Sequence, residues 1–270
     1  MKMKKAIITV AILMMVMLPS YAATVYKNAI QISPYNLIFT KIKINGREVL
    51  ALIDSGSFRT LQLSSTLAQE LKIPLTETTK VVRRYEGKDF YLKSGQIDSL
   101  GVGNYKGQKV AIDVLESDIE NISKQVNTNF EAVLGWGFIS QFYTEIDYKN
   151  LSMQFGKSPL KSHKDKLSIN YAVVNNAPVV KGTIDNQAVN LLFDTGAPMC
   201  NLHVGIAGAP KNEKVLKDLQ IDSNKFSLEW RVKDLTAIKK SLNSVAVIGN
   251  NFLKSYAVYF DTKNKVVHLY

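Results

Sequence analysis

Residues 40–56 read TKIKINGREVLALIDSG, and residues 180–196 read VKGTIDNQAVNLLFDTG. The two stretches align without a gap at a constant shift of 140 positions. In each of them an alternating strand pattern runs into a two-residue turn and then into a second apolar strand, which predicts a β-hairpin. Both hairpins end in an aspartate, a hydroxyl residue and a glycine, so the same local structure is predicted twice in one chain.

A second block also repeats. Residues 132–139 read AVLGWGFI and residues 246–253 read AVIGNNFL, displaced by 114 positions. Two ungapped blocks in the same order indicate an internal duplication. Because the shift falls from 140 to 114, the second copy lacks 26 residues between its blocks. We therefore expect two related lobes of unequal size.

The stretch between the two copies is polar and basic and holds one proline, which is typical of an exposed linker. We predict an N-terminal lobe at residues 23–157, a linker at 158–166 and a shorter C-terminal lobe at 167–270. Short runs rich in Val, Ile, Tyr and Phe predict a mainly β fold. Helix signals are few: residues 64–71 begin with a good N-cap serine, and residues 137–142 could form one short turn.

The first 22 residues have the layout of a secretory signal peptide. Lys2, Lys4 and Lys5 precede an apolar run from Ala6 to Leu18, and small residues precede a cleavage point after Ala22. The run is shorter than the roughly 20 residues that span a bilayer. We therefore expect an exported protein, periplasmic or secreted, with no integral membrane segment in the mature chain.

Composition excludes several classes of site. Removing the signal lysines lowers the net charge from +11 to +8, and the surplus is dispersed, so no nucleic-acid partner is predicted. Cys200 is the only cysteine, which rules out an intramolecular disulfide and favours a small buried hydrophobe. The three histidines form no metal motif, and no G-x-S-x-G elbow is present. No cofactor or metal is predicted.

The two Asp-hydroxyl-Gly triplets and the elements that follow them resemble those of a known protein family. One Asp-Ser-Gly or Asp-Thr-Gly alone is weak evidence, because its residues are common in turns. Here residues 52–57 (LIDSGS) and 192–197 (LFDTGA) each end a strand, and each is followed later by an apolar-apolar-glycine element, at 133–135 and 247–249. In these features the chain resembles the pepsin-like and retroviral (retropepsin-like) aspartic peptidases. The resemblance implies a bilobal acid protease fold with its active site between the lobes, a peptide or protein substrate, and a monomer that acts as a pseudo-dimer.

The resemblance implies that Asp54 and Asp194 are the catalytic residues. Two carboxyl groups about 3 Å apart cannot both ionise, so they share one proton, and one acts as base while the other acts as acid. A water held between them would attack the scissile carbonyl, and no acyl-enzyme would form.

Five neighbours are expected to support this dyad. Gly56 and Gly196 permit tight turns that bring backbone N–H groups to the carboxylates. The resemblance implies that the hydroxyls of Ser55 and Thr195 cross-link the two loops. It also implies that a hydroxyl at Ser57 bonds Asp54, whereas the second loop has Ala197. We therefore predict that Asp54 carries most of the charge and Asp194 most of the proton.

The first copy has room for a hairpin flap over the substrate at residues 81–91, with its turn at 86–89, and the second copy is expected to lack one. Tyr85, Gly87 and Tyr91 are candidate substrate-binding residues, although an aromatic on a strand is more often simply packed. Asp147 and Asp261 precede Lys-Asn pairs and are interpreted as turn residues.

Two alternatives stay open at this stage. The chain could be a catalytically weak or inactive module of the same fold that binds peptides or proteins in the cell envelope, or it could cut one envelope protein rather than digest generally. Fold alone does not choose among these functions.

Overall fold

The computed structural model describes residues 24–83, 89–115, 118–160 and 167–270. The predicted signal peptide, Tyr85, Gly87 and most of the predicted linker lie outside these residues. The fold is mainly β, as the sequence predicts. In the described residues, no helix has the length and apolar composition needed to cross a membrane.

The N-terminal half contains ten strands and three helices in its described residues. They are β1 (Val25–Ile32), β2 (Ile38–Ile44), β3 (Arg47–Asp54), β4 (Leu61–Leu63), α1 (Ser65–Glu70), β5 (Leu75–Arg83), β6 (Asp89–Val102), β7 (Tyr105–Leu115), α2 (Asp118–Gln125), β8 (Ala132–Gly135), α3 (Trp136–Ile139), β9 (Tyr143–Asp147) and β10 (Ser152–Gly156).

The C-terminal half contains nine strands and three helices in the range 167–270. They are β11 (Leu167–Val174), β12 (Ala177–Ile184), β13 (Gln187–Phe193), β14 (Asn201–His203), α4 (Val204–Ala207), β15 (Lys214–Ile221), β16 (Asn224–Lys233), α5 (Thr236–Leu242), β17 (Ala246–Ile248), α6 (Asn250–Leu253), β18 (Ala257–Asp261) and β19 (Val266–Leu269).

The two halves use the same strand pairings. In the first half β3 pairs antiparallel with β2 and parallel with β8, and β4 pairs parallel with β7. In the second half β13 pairs antiparallel with β12 and parallel with β17, and β14 pairs parallel with β16. The repeated sequence blocks therefore occupy matching positions in matching sheets.

A sheet shared by both halves joins them. Its strands follow the order β1, β10, β9, β18, β19 and β11, and β9 pairs antiparallel with β18 across the junction. The core continues through the junction, because Trp136 packs edge-on against Tyr171 and Phe260 at ring-centroid distances of 5.7 and 5.3 Å. Burial of these large rings stabilises the contact between the halves.

The halves differ between their repeated blocks. In the first half β5 and β6 form the hairpin expected for a flap. In the second half α4 is followed directly by β15, and residues 208–213 between them contain no strand. The predicted flap turn at 86–89 is wrong at one end, because Asp89 already pairs with Arg83 in the β5–β6 ladder.

The sequence predicts two of the six helices that the structure describes, α1 and α3. Ser64 caps α1 and its Oγ accepts a hydrogen bond from the Leu67 N–H at 3.1 Å. The short turn expected at 137–142 is α3, which begins one residue earlier and ends at Ile139. Helices α2, α4, α5 and α6 were not predicted.

Candidate active site

Both aspartates sit where a central strand ends. Asp54 closes β3 opposite Gly135 of β8. Asp194 directly follows β13, and its N–H donates to the Ile248 carbonyl of β17 at 3.0 Å. Strands β3 and β13 also pair with β2 and β12 up to Leu52 and Leu192, so each aspartate follows a strand that is held on both sides.

The downstream glycines let the two aspartate loops pass very close to the sheet. A Cβ built on Gly135 would lie 2.8 Å from the Ser57 carbonyl oxygen, and one built on Gly249 would lie 2.8 Å from the Ala197 carbonyl oxygen. Real Cβ atoms do not approach oxygen this closely. The apolar-apolar-glycine element therefore ends in glycine because backbone crosses backbone there.

Ser55 and Thr195 cross-link the two loops. The Ser55 N–H donates to Thr195 Oγ1 at 3.0 Å, and the Thr195 N–H donates to Ser55 Oγ at 2.9 Å. Each hydroxyl then donates across to the other loop, Ser55 Oγ to the Phe193 carbonyl at 2.8 Å and Thr195 Oγ1 to the Ile53 carbonyl at 3.0 Å. Both side chains are fully buried, so these four hydrogen bonds are shielded from water.

The cross-link brings each carboxyl group against the glycine of the other loop. A Cβ built on Gly56 would lie 2.5 Å from Asp194 Oδ2, and one built on Gly196 would lie 2.5 Å from Asp54 Oδ1. The contact is reciprocal and nearly equal on the two sides. The structure thus brings Asp54 and Asp194 together, from opposite halves, at one place.

The two carboxyl groups differ in their surroundings. Asp54 Oδ1 accepts hydrogen bonds from the Gly56 and Ser57 N–H groups, both at 2.9 Å. Asp194 Oδ1 accepts one from the Gly196 N–H at 2.8 Å, and the Gly196 and Gly56 N–H groups both act to lower the pKa of Asp194. Burial raises the pKa of Asp194 well above its usual range, and the charge of Asp54 and a hydrogen bond with it raise that pKa further.

A raised pKa at Asp194 is the direction that a proton on Asp194 requires, and the location of the shared proton stays a prediction. Ser57 contacts Asp54 through its backbone N–H, and the part played by its hydroxyl stays a prediction. Among the flap candidates, Tyr91 is exposed on β6 opposite Val81. Its contact with substrate also stays a prediction.

Sequence reasoning missed an ion pair beside the first loop. Arg59 Nη1 lies 2.8 Å from Asp113 Oδ2 on β7, and Asp113 Oδ1 accepts a hydrogen bond from Ser94 Oγ of β6 at 2.8 Å. The pair ties the first loop to the base of the β5–β6 hairpin. No signal in the sequence marks it, because the two charges lie 54 positions apart.

The other residues that the sequence analysis singled out, Cys200, Asp147 and Asp261, have structural roles. Burial raises the pKa of the Cys200 thiol to about 12, so it is the buried hydrophobe that the sequence predicts. Asp147 and Asp261 accept hydrogen bonds from the N–H groups of their own turns, which confirms them as turn residues. In the described residues, no group of three or more His, Cys, Asp or Glu could hold a metal ion.

Residues 40–138 match the family model described as aspartyl protease. The matched segment includes the Asp54 triplet and the element that ends in Gly135. The match confirms the resemblance to pepsin-like and retropepsin-like proteins over these residues. No curated protein sequence matches the chain. The second triplet lies beyond the matched segment and is joined to it by the hydrogen bonds of Ser55 and Thr195.

Proposed function

We propose that this chain is an aspartic endopeptidase in which Asp54 and Asp194 share one proton and activate one water. The observation that carries the proposal is the reciprocal contact of the two carboxyl groups with the opposing glycines. A protease-like function is supported independently by the family match. The mature protein would be exported and act as a monomer on peptides or proteins.

The proposed reaction follows from the unequal surroundings of the two groups. Ionised Asp54 takes a proton from the water, whose oxygen bonds to the scissile carbonyl carbon. Asp194 gives its proton to the carbonyl oxygen, so a neutral diol forms. When the C–N bond breaks, the proton on Asp54 passes to the leaving nitrogen and a diol hydroxyl returns a proton to Asp194. Each carboxyl group ends the cycle as it began.

The test is cleavage of a diverse peptide pool by the mature chain between about pH 3 and 7, a range that covers the dyads of comparable enzymes. Asp54→Asn and Asp194→Asn should each reduce cleavage at least about 1,000-fold, because the two groups act as a unit. Asp98→Asn is the matched control, since Asp98 is exposed and pairs only at the surface with Lys109. It should cleave like the natural chain.

Two outcomes would contradict the proposal. Cleavage that survives either dyad substitution would exclude the shared mechanism. Peptide binding without cleavage at any pH would favour the binding module instead. Inhibition by a statine-type mimic of the diol would support the reaction as written.

A further inference from the structure

A chain of buried hydrogen bonds reaches the second loop from beneath. Tyr148, in the turn after β9, places its hydroxyl 2.7 Å from Asn250 Oδ1, and Asn250 Nδ2 donates to the Thr195 carbonyl at 2.7 Å. Both side chains are buried. Tyr148 comes from the first half and Asn250 from the second, so the chain crosses the junction.

The direction of every hydrogen bond in this chain is determined. The Thr195 carbonyl can only accept, so Nδ2 of Asn250 must face it and Oδ1 must face Tyr148, which therefore donates. The Thr195 carbonyl and the Gly196 N–H belong to one peptide group, and that N–H donates to Asp194 Oδ1 at 2.8 Å. All the donors point toward Asp194, and aligned hydrogen bonds strengthen one another.

The first loop is supported differently at the matching position. Trp136 and Asn250 follow the two equivalent glycines, and the backbone N–H of each donates to its loop, to the carbonyls of Ser57 and Ala197 at 2.7 and 2.8 Å. The Trp136 side chain packs against aromatic rings, and its indole N–H has no hydrogen-bond partner among the described residues. A hydrogen-bonded side chain therefore supports the Asp194 loop, whereas an apolar ring supports the Asp54 loop.

We propose that Asn250 and Tyr148 are positioning residues for Asp194, which hold the Thr195–Gly196 peptide so that its N–H stays aimed at the carboxylate. This rests on the proposed function, in which Asp194 becomes negatively charged as it protonates the carbonyl oxygen. The donor chain stabilises that charge in the transition state more than in the ground state, so it acts on kcat rather than on KM.

Two titratable groups of the described residues face Asp194. Asp54 lies across the loops, and Tyr148 lies beneath them. Burial raises the pKa of Tyr148, and the charge of Asp194 raises it further. The phenol therefore remains a donor throughout the working range of a carboxyl dyad.

The test substitutes Tyr148→Phe, which removes one hydroxyl and keeps the ring. The pKa of Asp194 is followed by carbon-13 NMR of its carboxyl group, and kcat and KM are measured on a cleaved peptide. We expect the pKa to rise by about half a pH unit and kcat to fall roughly fivefold, with KM unchanged, as for loss of one net hydrogen bond. The alkaline limb of the pH profile should move to higher pH.

Tyr171→Phe is the matched control, because Tyr171 is buried beside Trp136 under the other loop. Tyr171→Phe should change neither the pKa of Asp194 nor kcat. Asn250→Leu should lower kcat further than Tyr148→Phe, because it removes the hydrogen bond to Thr195 itself.

The outcomes separate this inference from the proposed function. If the natural chain cleaves peptide while Tyr148→Phe changes neither the Asp194 pKa nor kcat, the positioning role is overturned and the protease survives. If the pKa rises in Tyr148→Phe but no form of the chain cleaves any peptide, the donor chain is supported and the proposed function fails.

Discussion

The loops that carry Asp54 and Asp194 share a backbone but not their supporting side chains. Both end a central strand, both close on a glycine, and both cross-link through a buried hydroxyl. The Asp54 carboxylate accepts two backbone N–H groups, and its loop rests on Trp136. The Asp194 loop is reached instead by the amide of Asn250. The comparison indicates that the repeated backbone brings the carboxyl groups together, whereas the surroundings of the two groups are unequal.

The second difference lies beside the loops. Met199 aligns with Arg59, and the strand register places Val232 where the first half has Asp113. The first loop is therefore tied by an ion pair to the β5–β6 hairpin, and the second loop has no equivalent charge at these two positions. In the proposed function, the first half would therefore link its catalytic loop to a flap, and the second half would supply the second carboxyl group.

The largest effect is expected where the two loops are most alike. Gly56→Ala and Gly196→Ala should each abolish cleavage and lower the free energy of unfolding by about 3 kcal/mol, because the new methyl group would displace the opposing carboxyl group. Chemical denaturation and a peptide assay measure this. Gly205→Ala is the control, since a Cβ there would meet only the His203 ring at 3.5 Å. A mild effect at one glycine alone would contradict the reciprocal contact.

The ion pair offers the next test. Asp113→Asn should lower the free energy of unfolding by about 1–2 kcal/mol, because the side chains of Arg59 and Asp113 are only 15% and 18% exposed. Glu48→Gln breaks the Lys41–Glu48 pair, whose side chains are 70% and 52% exposed, and should lower the free energy of unfolding by much less, because water screens an exposed pair. If urea denaturation gives equal losses of unfolding free energy for Asp113→Asn and Glu48→Gln, the Arg59–Asp113 pair is no more than a surface contact.

The buried acid should also make stability depend on pH. The pKa of Asp194 is raised in the folded state, so its proton stabilises the fold below about pH 4, near its unfolded value, and this stability is lost as pH rises through the folded value. At neutral pH, Asp194→Asn should therefore be more stable than the natural chain by about 0.5–2 kcal/mol.

This stability gain should vanish near pH 3, where both chains are neutral at this position. Unfolding curves collected at several pH values give the difference between the two chains. A difference that stays constant from pH 3 to 7 would mean that Asp194 is not a buried acid with a raised pKa.

The smallest expected effect concerns the fourth loop position. Ser57→Ala should raise the lower apparent pKa of the activity profile by less than about one pH unit, because a hydroxyl that favours charged Asp54 is removed. The reciprocal change Ala197→Ser should lower the upper apparent pKa instead. Profiles of kcat/KM against pH measure both, and no movement in either variant would count against the hydroxyl as the origin of the asymmetry.

Most of the fold and both aspartates could be predicted because they depend on local, repeated patterns. Consecutive residues determine the hairpins that end at Asp54 and Asp194, and they also determine the cap of α1 at Ser64. The Tyr148–Asn250 contact joins residues 102 positions apart in different halves, and no periodicity marks such a pair. The only sequence signal was the mismatch of Trp136 and Asn250 in otherwise equivalent blocks. Helix α5 was missed because a seven-residue helix depends on packing rather than on its own propensity.

The most direct test of the shared proton is a carbon-13 NMR titration of the Asp194 carboxyl group in the natural chain and in Asp54→Asn. Removing the charge of Asp54 and its hydrogen bond should lower the pKa of Asp194. That pKa should nevertheless stay above about 3.9, the value of an unperturbed aspartate, because burial is the largest cause of the shift. The same Asp194 pKa in both chains would contradict the dyad.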